Sequence, residues 1–384
     1  MEIRRLKAED YDELLGMLNY TFGHKYGRKM DFTAEQPKMW IRDDEHMNKH
    51  LGVFEDGKLC SVVGMYPLPV NILGRKLTFA TTGNVATLPE YEGKGYFSAL
   101  FPLIMEECDK QGVVAARLGG SRQRYGRYGF EQCGTLYKFT ISAHNVKHFF
   151  GDAGAGTEFV RITPEDTDAL MICHELISSR PFYVERSPLC NLRDVYLVMC
   201  SKEGVPYLVK KGGDVIGYLI AYKGGPEILE LCAYDTEGFS AIVAGWQMHI
   251  GGNITVPVAP YQTEELRILS ECADDISITN PSKFRVHDWV TLCDALMKLK
   301  ASLEPLPDFE LTLGVEDYGS FTLYCRSGVA GCEWSNRGGE LLLDQRSASR
   351  LLFGPAPASL VADVPVIARA WLPLPLTWAT NDYL

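Results

Sequence analysis

Two glycines set just ahead of an amphipathic stretch, Gly93 and Gly95, are the residues whose spacing points most directly to chemistry. In the run GNVATLPEYEGKGYFSALF, residues 83–88 have strand character, and Pro89 ends the strand because proline cannot donate to a ladder. Glu92-Gly93-Lys94-Gly95 then supplies two residues without a Cβ where a helix begins. Backbone N–H groups can close around an anion there, at the positive end of a helix dipole, and a diphosphate fits. Phe97, Leu100, Phe101, Ile104 and Cys108 recur at three and four residues and predict that helix, with a kink expected at Pro102. Gly112 ends it, residues 113–118 read as the next strand, and Gly119-Gly120-Ser121 opens a turn into YGRYGF. A glycine pair alone closes ordinary turns more often than it holds a ligand.

The pattern VATLPEYEGKG, a helix, and then RYGRYGF resembles the GNAT superfamily of N-acetyltransferases and, within it, the enhanced-intracellular-survival (Eis) acyltransferases. The family loop has Gln or Arg, then two residues, Gly, one residue, and Gly or Ala. Here those places hold Glu92, Gly95 and Phe97, so the central glycine is kept and a glutamate stands near the expected diphosphate, with Lys94 beside it as a counter-charge. The resemblance implies acetyl-CoA as acyl donor, a small-molecule or peptide amine (an aminoglycoside-like amine or a peptide lysine) as acceptor, and a homo-oligomer, a hexamer. It further implies that Gly93, Lys94, Gly95, Tyr96, Phe97 and Ser98 hold the cofactor, and that Gly120 or Ser121 adds a contact after the second strand.

Acyl transfer to an amine makes three demands. An alkyl amine has a pKa near ~10.4, so a base must take its proton before it attacks a thioester. The tetrahedral oxyanion needs an N–H donor, for which Val85, Ala86 and Thr87 stand at the right place. The thiolate leaves more easily if an acid protonates it, and Tyr125 takes that role in the resemblance. Eis enzymes use the chain's terminal carboxylate as base, which here would be Leu384 of WATNDYL; apolar Trp378, Tyr383 and Leu384 favour docking of this segment over fraying. Arg117, Arg122, Arg124 and Arg127 cluster beside the tyrosine turn, where ordinary surface pairing competes with contacts to the adenosine phosphates.

With 384 residues, 46% of them hydrophobic, the chain exceeds what one core usually organises. Two hairpin-bearing segments repeat at an offset of 156: EDYDEL at Glu9 matches EDTDAL at Glu165, and Gly57 matches Gly213. The second copy lacks a paired-glycine turn and keeps only Gly238 before its helix, so it is expected to have lost cofactor binding. The expected organisation is an α/β (α+β) chain: a catalytic GNAT domain with the acetyl-CoA site at 1–150, a degenerate second GNAT-like domain at 151–280, and a sterol-carrier-protein-like α+β domain at 281–384 whose end enters the active site.

Eleven scattered cysteines without a C-x-x-C pair, and a charged N-terminus with no apolar core, predict reduced thiols in a cytoplasm. The eight histidines show no metal spacing, so no metal is expected. A net charge of -11 disfavours nucleic acid, and no apolar run approaches the ~20 residues of a membrane span. The segment 25–45, expected to flank the acceptor, carries five basic and five acidic residues and leaves the acceptor's charge open. Two other readings stand beside amine acetylation: a binding protein for acyl-CoA or a hydrophobic ligand, and transfer of a longer acyl group.

Overall fold

The computed structural model describes residues 1–187 and 191–382. It is a mixed α/β structure with several sheets. In chain order the first part runs β1 (Glu2–Arg5), α1 (Tyr11–Tyr26), the short helices α2 (Phe32–Glu35) and α3 (Asp44–Met47), β2 (His50–Glu55), β3 (Lys58–Ile72), β4 (Arg75–Thr87), α4 (Tyr96–Lys110), β5 (Ala115–Leu118), α5 (Arg122–Gly126), β6 (Glu131–Cys133) and β7 (Leu136–Ile141). β1 to β4 are antiparallel neighbours in sequence order, because two-residue turns join β2 to β3 at Asp56-Gly57 and β3 to β4 at Leu73-Gly74. All four turn residues have left-handed φ, the geometry that matches the twist of the flanking strands.

β5 joins β4 in parallel, with α4 as the crossover that such a pair requires. The pairing lasts only from Phe79–Ala115 to Thr81–Arg117, while β4 continues to Thr87. Among the described residues, β4 therefore has one edge without a strand partner from Thr82 onward. The other edge of β5 takes the strand Ser282–Val286, with β6 beyond it. α4 covers the sheet with Leu100, Phe101, Ile104 and Cys108, all fully buried as the spacing predicts. Tyr96 and Met105 join them, whereas Phe97 stays half-buried. The helix continues through Pro102 to Lys110, and Gly112 follows with φ +66°.

The middle of the chain repeats this order of elements. Strands Thr157–Arg161, Gly204–Lys211, Asp214–Tyr222 and Ile228–Ala233 are antiparallel neighbours in sequence order, and helix Thr236–Ile250 follows them. Glu55 pairs with Lys58 across the first hairpin turn, and Lys211 with Asp214 across the second. β7 pairs with Ile254–Val258 and Asp275–Thr279, so strands exchange between the first and middle parts. A last sheet places Phe309–Val315, Gly319–Arg326 and Val329–Trp334 antiparallel, with Leu341–Leu343 parallel to the first of these. Helix Trp289–Leu303 covers that sheet, burying Trp289, Leu292 and Leu296. Among the described residues no helix is long and apolar enough to cross a membrane.

Candidate functional site

At the start of α4, Gly93 and Gly95 both have left-handed φ, 80° and 81°. A Cβ at either position would meet nothing within 4 Å, so the loop is open to a ligand as well as permissive in backbone. The Ala99 N–H reaches back to the Gly95 carbonyl at 3.0 Å, and no side chain caps the N–H groups before it. No acidic residue lies in the first turn. These uncapped donors, with the helix dipole behind them, suit a diphosphate. The corresponding helix Thr236–Ile250 is built differently, since Asp235 caps it and accepts from the Gly238 N–H at 2.7 Å. A carboxylate of the chain itself holds the place an anion would take.

A cleft of about 650 Å³ opens on the start of α4, lined by Gly93, Gly95, Tyr96, Phe97 and Ser98 from the loop and helix and by Val85, Ala86 and Thr87 from the unpaired edge of β4. Lys94 does not line it. Its ammonium is bonded to Glu55 at 3.0 Å and lies over the Tyr91 ring, so it is not the counter-charge to Glu92 that the sequence suggests. Arg124 and Arg127 line the cleft instead, and Arg127 donates to Ser98 Oγ at 3.3 Å. The four clustered arginines thus divide. Arg122 pairs with the buried Glu131, and Arg117 is fully buried, donating to Thr81 and Ser282. Phe97, where the resembling family has a small residue, turns aside from the loop. Its ring meets Tyr125 and Tyr128 edge-on at 5.9 and 5.8 Å and forms a wall of the cleft.

A second cavity, about 590 Å³, adjoins the first and shares Phe22, Lys25, Val85 and Arg124 with it. Gly120, Ser121 and Tyr125 line this second cavity, not the first. Tyr125 is carried by α5, where the sequence predicted a turn, and is buried against Phe101 and Phe97. Burial pushes its phenol up, and the neighbouring Arg124 only partly offsets this, so Tyr125 holds its proton at neutral pH. Gly120 is required beside it: with φ +100°, a Cβ there would lie 2.9 Å from the Tyr125 ring. The two cavities meet at Val85, which puts a β4 residue between the loop glycines and the tyrosine.

Val85 owes its position to a bulge. Gly83 pairs with Gly64 and Ala86 with Val62, so β4 carries one extra residue across from Val63. Asn84 takes the strain with φ +51°. A buried chain of hydrogen bonds holds it: Asn84 Nδ2 donates to Tyr66 Oη at 2.6 Å, the Tyr66 hydroxyl lies 2.6 Å from His50 Nε2, and His50 Nδ1 faces the Met47 carbonyl at 3.2 Å. The arrangement fits a neutral imidazole that donates through Nδ1 and accepts through Nε2. Burial drives His50 down to about 4 from the ordinary 6.5. Sequence reasoning missed Asn84, Tyr66 and His50, and the signal was an asparagine, a poor strand former, inside a strand.

The last described residues are tied to the same region. Asp382 carboxylate takes Arg186 Nε at 2.8 Å, and its carbonyl accepts from Arg117 at 3.2 Å and Trp378 Nε1 at 2.6 Å. Trp378 is buried against Phe79 of β4. Arg117 lines the second cavity, so residue 382 lies one side chain away from it. Leu384 and Tyr383 lie outside the described residues.

The His50 chain generates a pH prediction. Above about pH 6.5 both folded and unfolded His50 are neutral. Below it the unfolded chain takes a proton that the folded chain refuses, so stability falls as pH drops toward 4, by about 3 kcal/mol in all. Urea midpoints measured from pH 7 to 4 should show this slope, and His50→Gln should flatten it. Equal slopes in both proteins would remove the neutral-histidine assignment.

Residues 2–133 match the family model of the acetyltransferase (GNAT) domain. No curated protein matches the chain. Solved structures resemble it along its length. A GCN5-related N-acetyltransferase from Kribbella flavida shares 18% identity with a TM-score of 0.67, over 100% of this chain and 98% of that one. A probable N-acyltransferase from Enterococcus faecalis V583 shares 19% with 0.68, over 98% and 97%. Eis1 from Mycobacterium abscessus shares 14% with 0.68, over 99% and 98%. The uncapped helix, the open β4 edge and the match to the acetyltransferase (GNAT) domain model fall in one stretch, residues 2–133, within a chain that has the fold of these solved structures.

Proposed function

We propose that the protein is an N-acetyltransferase that moves acetyl from acetyl-CoA to a primary amine. The observation that carries this reading is the uncapped start of α4 opening on a cleft that joins, at Val85, a second cavity bearing a protonated tyrosine. The N–H groups of residues 95–98 hold the diphosphate, and hydrogen bonds to a charged oxygen are worth about 1.5–3 kcal/mol each. Glu92 is exposed, and a unit charge in water at 4 Å costs only about 1 kcal/mol, so it weakens this grip without cancelling it. The unpaired edge of β4 offers main-chain groups to the amide-bearing arm of the cofactor, as an added strand would use them. Acyl donor and acceptor then approach from the two cavities and meet at the bulge.

In the transfer, the neutral amine nitrogen bonds to the thioester carbon, and a β4 N–H at Val85 or a neighbour stabilises the oxyanion. As the tetrahedral species collapses, the C–S bond breaks and Tyr125 gives its proton to the departing sulfur. The amine's surplus proton goes to a base, for which we propose the α-carboxylate of Leu384. Support for that assignment is the docking of Asp382 beside Arg117, two residues before Leu384. Middle and C-terminal parts are proposed as a GNAT-like copy at 151–280, disabled by its Asp235 cap, and a sterol-carrier-protein-like unit at 281–384 that delivers this end of the chain.

Thiol release from acetyl-CoA on adding primary amines tests the activity. Tyr125→Phe should lower kcat by about a hundredfold or more while leaving acetyl-CoA affinity within a few-fold. A Tyr125→Phe protein with undiminished kcat would remove the acid role. Extending the chain by a few residues after Leu384 should abolish turnover, and full activity in the extended protein would refute the terminal base.

A further inference from the structure

One side of the second cavity is a wall of apolar side chains from a single stretch of chain: Phe22, Tyr26, Met30 and Phe32, from α1, the turn after it and the start of α2. They come together because the chain folds back on itself. Gly27 ends α1 with φ +63°, and Asn19 Oδ1 of α1 accepts from the Phe32 N–H at 3.1 Å. The Phe22 ring then lies 5.2 Å from Phe32 and 6.0 Å from Tyr26, centroid to centroid. Met30 and Phe32 are buried, but Phe22 is only half-buried and Tyr26 is 54% exposed. Val85 and Tyr125 line the same cavity from β4 and α5. An apolar body seated here would take these faces out of water, and a ring would add the pairing that aromatic faces make with one another.

Aromatic faces also attract cations, but that place is taken. Lys25 Nζ lies 5.9 Å from the Phe22 centroid and 5.4 Å from that of Tyr26, so a second cation on these faces would meet a like charge. Among the described residues lining the cavity there is one carboxylate, Glu35, and it accepts from Arg28 at 3.2 Å. A polycation needs several carboxylates to face it. An amine with a single charge does not, because it becomes neutral when it loses the proton to act as nucleophile.

We propose that the acceptor is a monoamine whose one primary amine stands two or three bonds from an aromatic ring. The ring packs on Phe22, Tyr26 and Phe32, and the nitrogen points to Val85. A short linker suffices, since Phe22 and Val85 both line the two cavities where these adjoin. This deepens, and rests on, the acetyltransferase reading.

Three acceptors test it in the thiol-release assay: phenethylamine, ethylamine as the same head without the ring, and the polycation spermidine. Phenethylamine should exceed both in kcat/KM by about tenfold or more, with its advantage over ethylamine lying mainly in KM. Raising ionic strength should leave that advantage over ethylamine standing, since apolar contact is not screened by salt. Tyr26→Ala removes an exposed ring of the wall. It should raise KM for phenethylamine about fivefold and leave ethylamine within about twofold. Ethylamine or spermidine turned over as well as phenethylamine, or a Tyr26→Ala protein in which phenethylamine keeps its full advantage, would overturn the inference while leaving the acetyltransferase reading in place. Acetyl-CoA that binds with none of a wide panel of amines releasing thiol would remove both.

Discussion

An α-helix begins with N–H groups that have no partner inside the helix, and a folded chain must spend something on them. Several helices here use a side chain: Asp31, Asp43, Ser142, Asn191, Asp235, Asp288 and Asp344 each accept from the turn they precede. At α4 the chain uses none, and places Gly95 in a left-handed conformation that leaves the donors facing a cleft. The rest of the candidate site depends on that omission. In the proposed reaction, cofactor position follows from where the diphosphate would rest, and the reach to Val85 and Tyr125 follows from cofactor position. The contrast with Asp235 gives the point its force, since a similar order of strands and helix ends there in an ordinary cap.

Two further features give the loop something to aim at. β4 and β5 separate after Thr81 and Arg117, and beyond that point Val85, Ala86 and Thr87 of β4 line the cleft. The bulge at Asn84 then turns Val85 into the junction of the two cavities. A left-handed asparagine in a strand is costly, of the order of 1–3 kcal/mol, and the Asn84–Tyr66–His50 chain holds it in place with buried hydrogen bonds. A neutral histidine is part of this arrangement, because a buried imidazolium would leave its charge without a counter-ion.

The helix, its glycines and the buried stripe from Leu100 to Cys108 were legible in the sequence because they are local: period, turn residues and a breaker all lie within a few turns. Residues Val85 to Thr87 and Gly93 to Ser98 also came together on the cleft, Lys94 excepted, because Glu55 claims its ammonium through a contact between β2 and the loop. The motif singled out Tyr125, which lines the second cavity, but not its short helix, since five residues carry too little periodicity. The second cavity was not legible. Segment 25–45 balances its charges, but the fold brings only Lys25, Arg28 and Glu35 of its charged residues to the cavity and adds Arg117, Arg124 and Lys202 from distant positions. No window of sequence contains that sum.

The most direct test is whether the open donors at the start of α4 hold a diphosphate. Titration calorimetry with coenzyme A would compare the protein with Gly95→Asp, which sets a carboxylate where helix Thr236–Ile250 has Asp235. Saturable binding by the unaltered protein and its loss in a still-folded Gly95→Asp protein is the expected result; no heat from the unaltered protein, or equal affinity in both, would contradict the account.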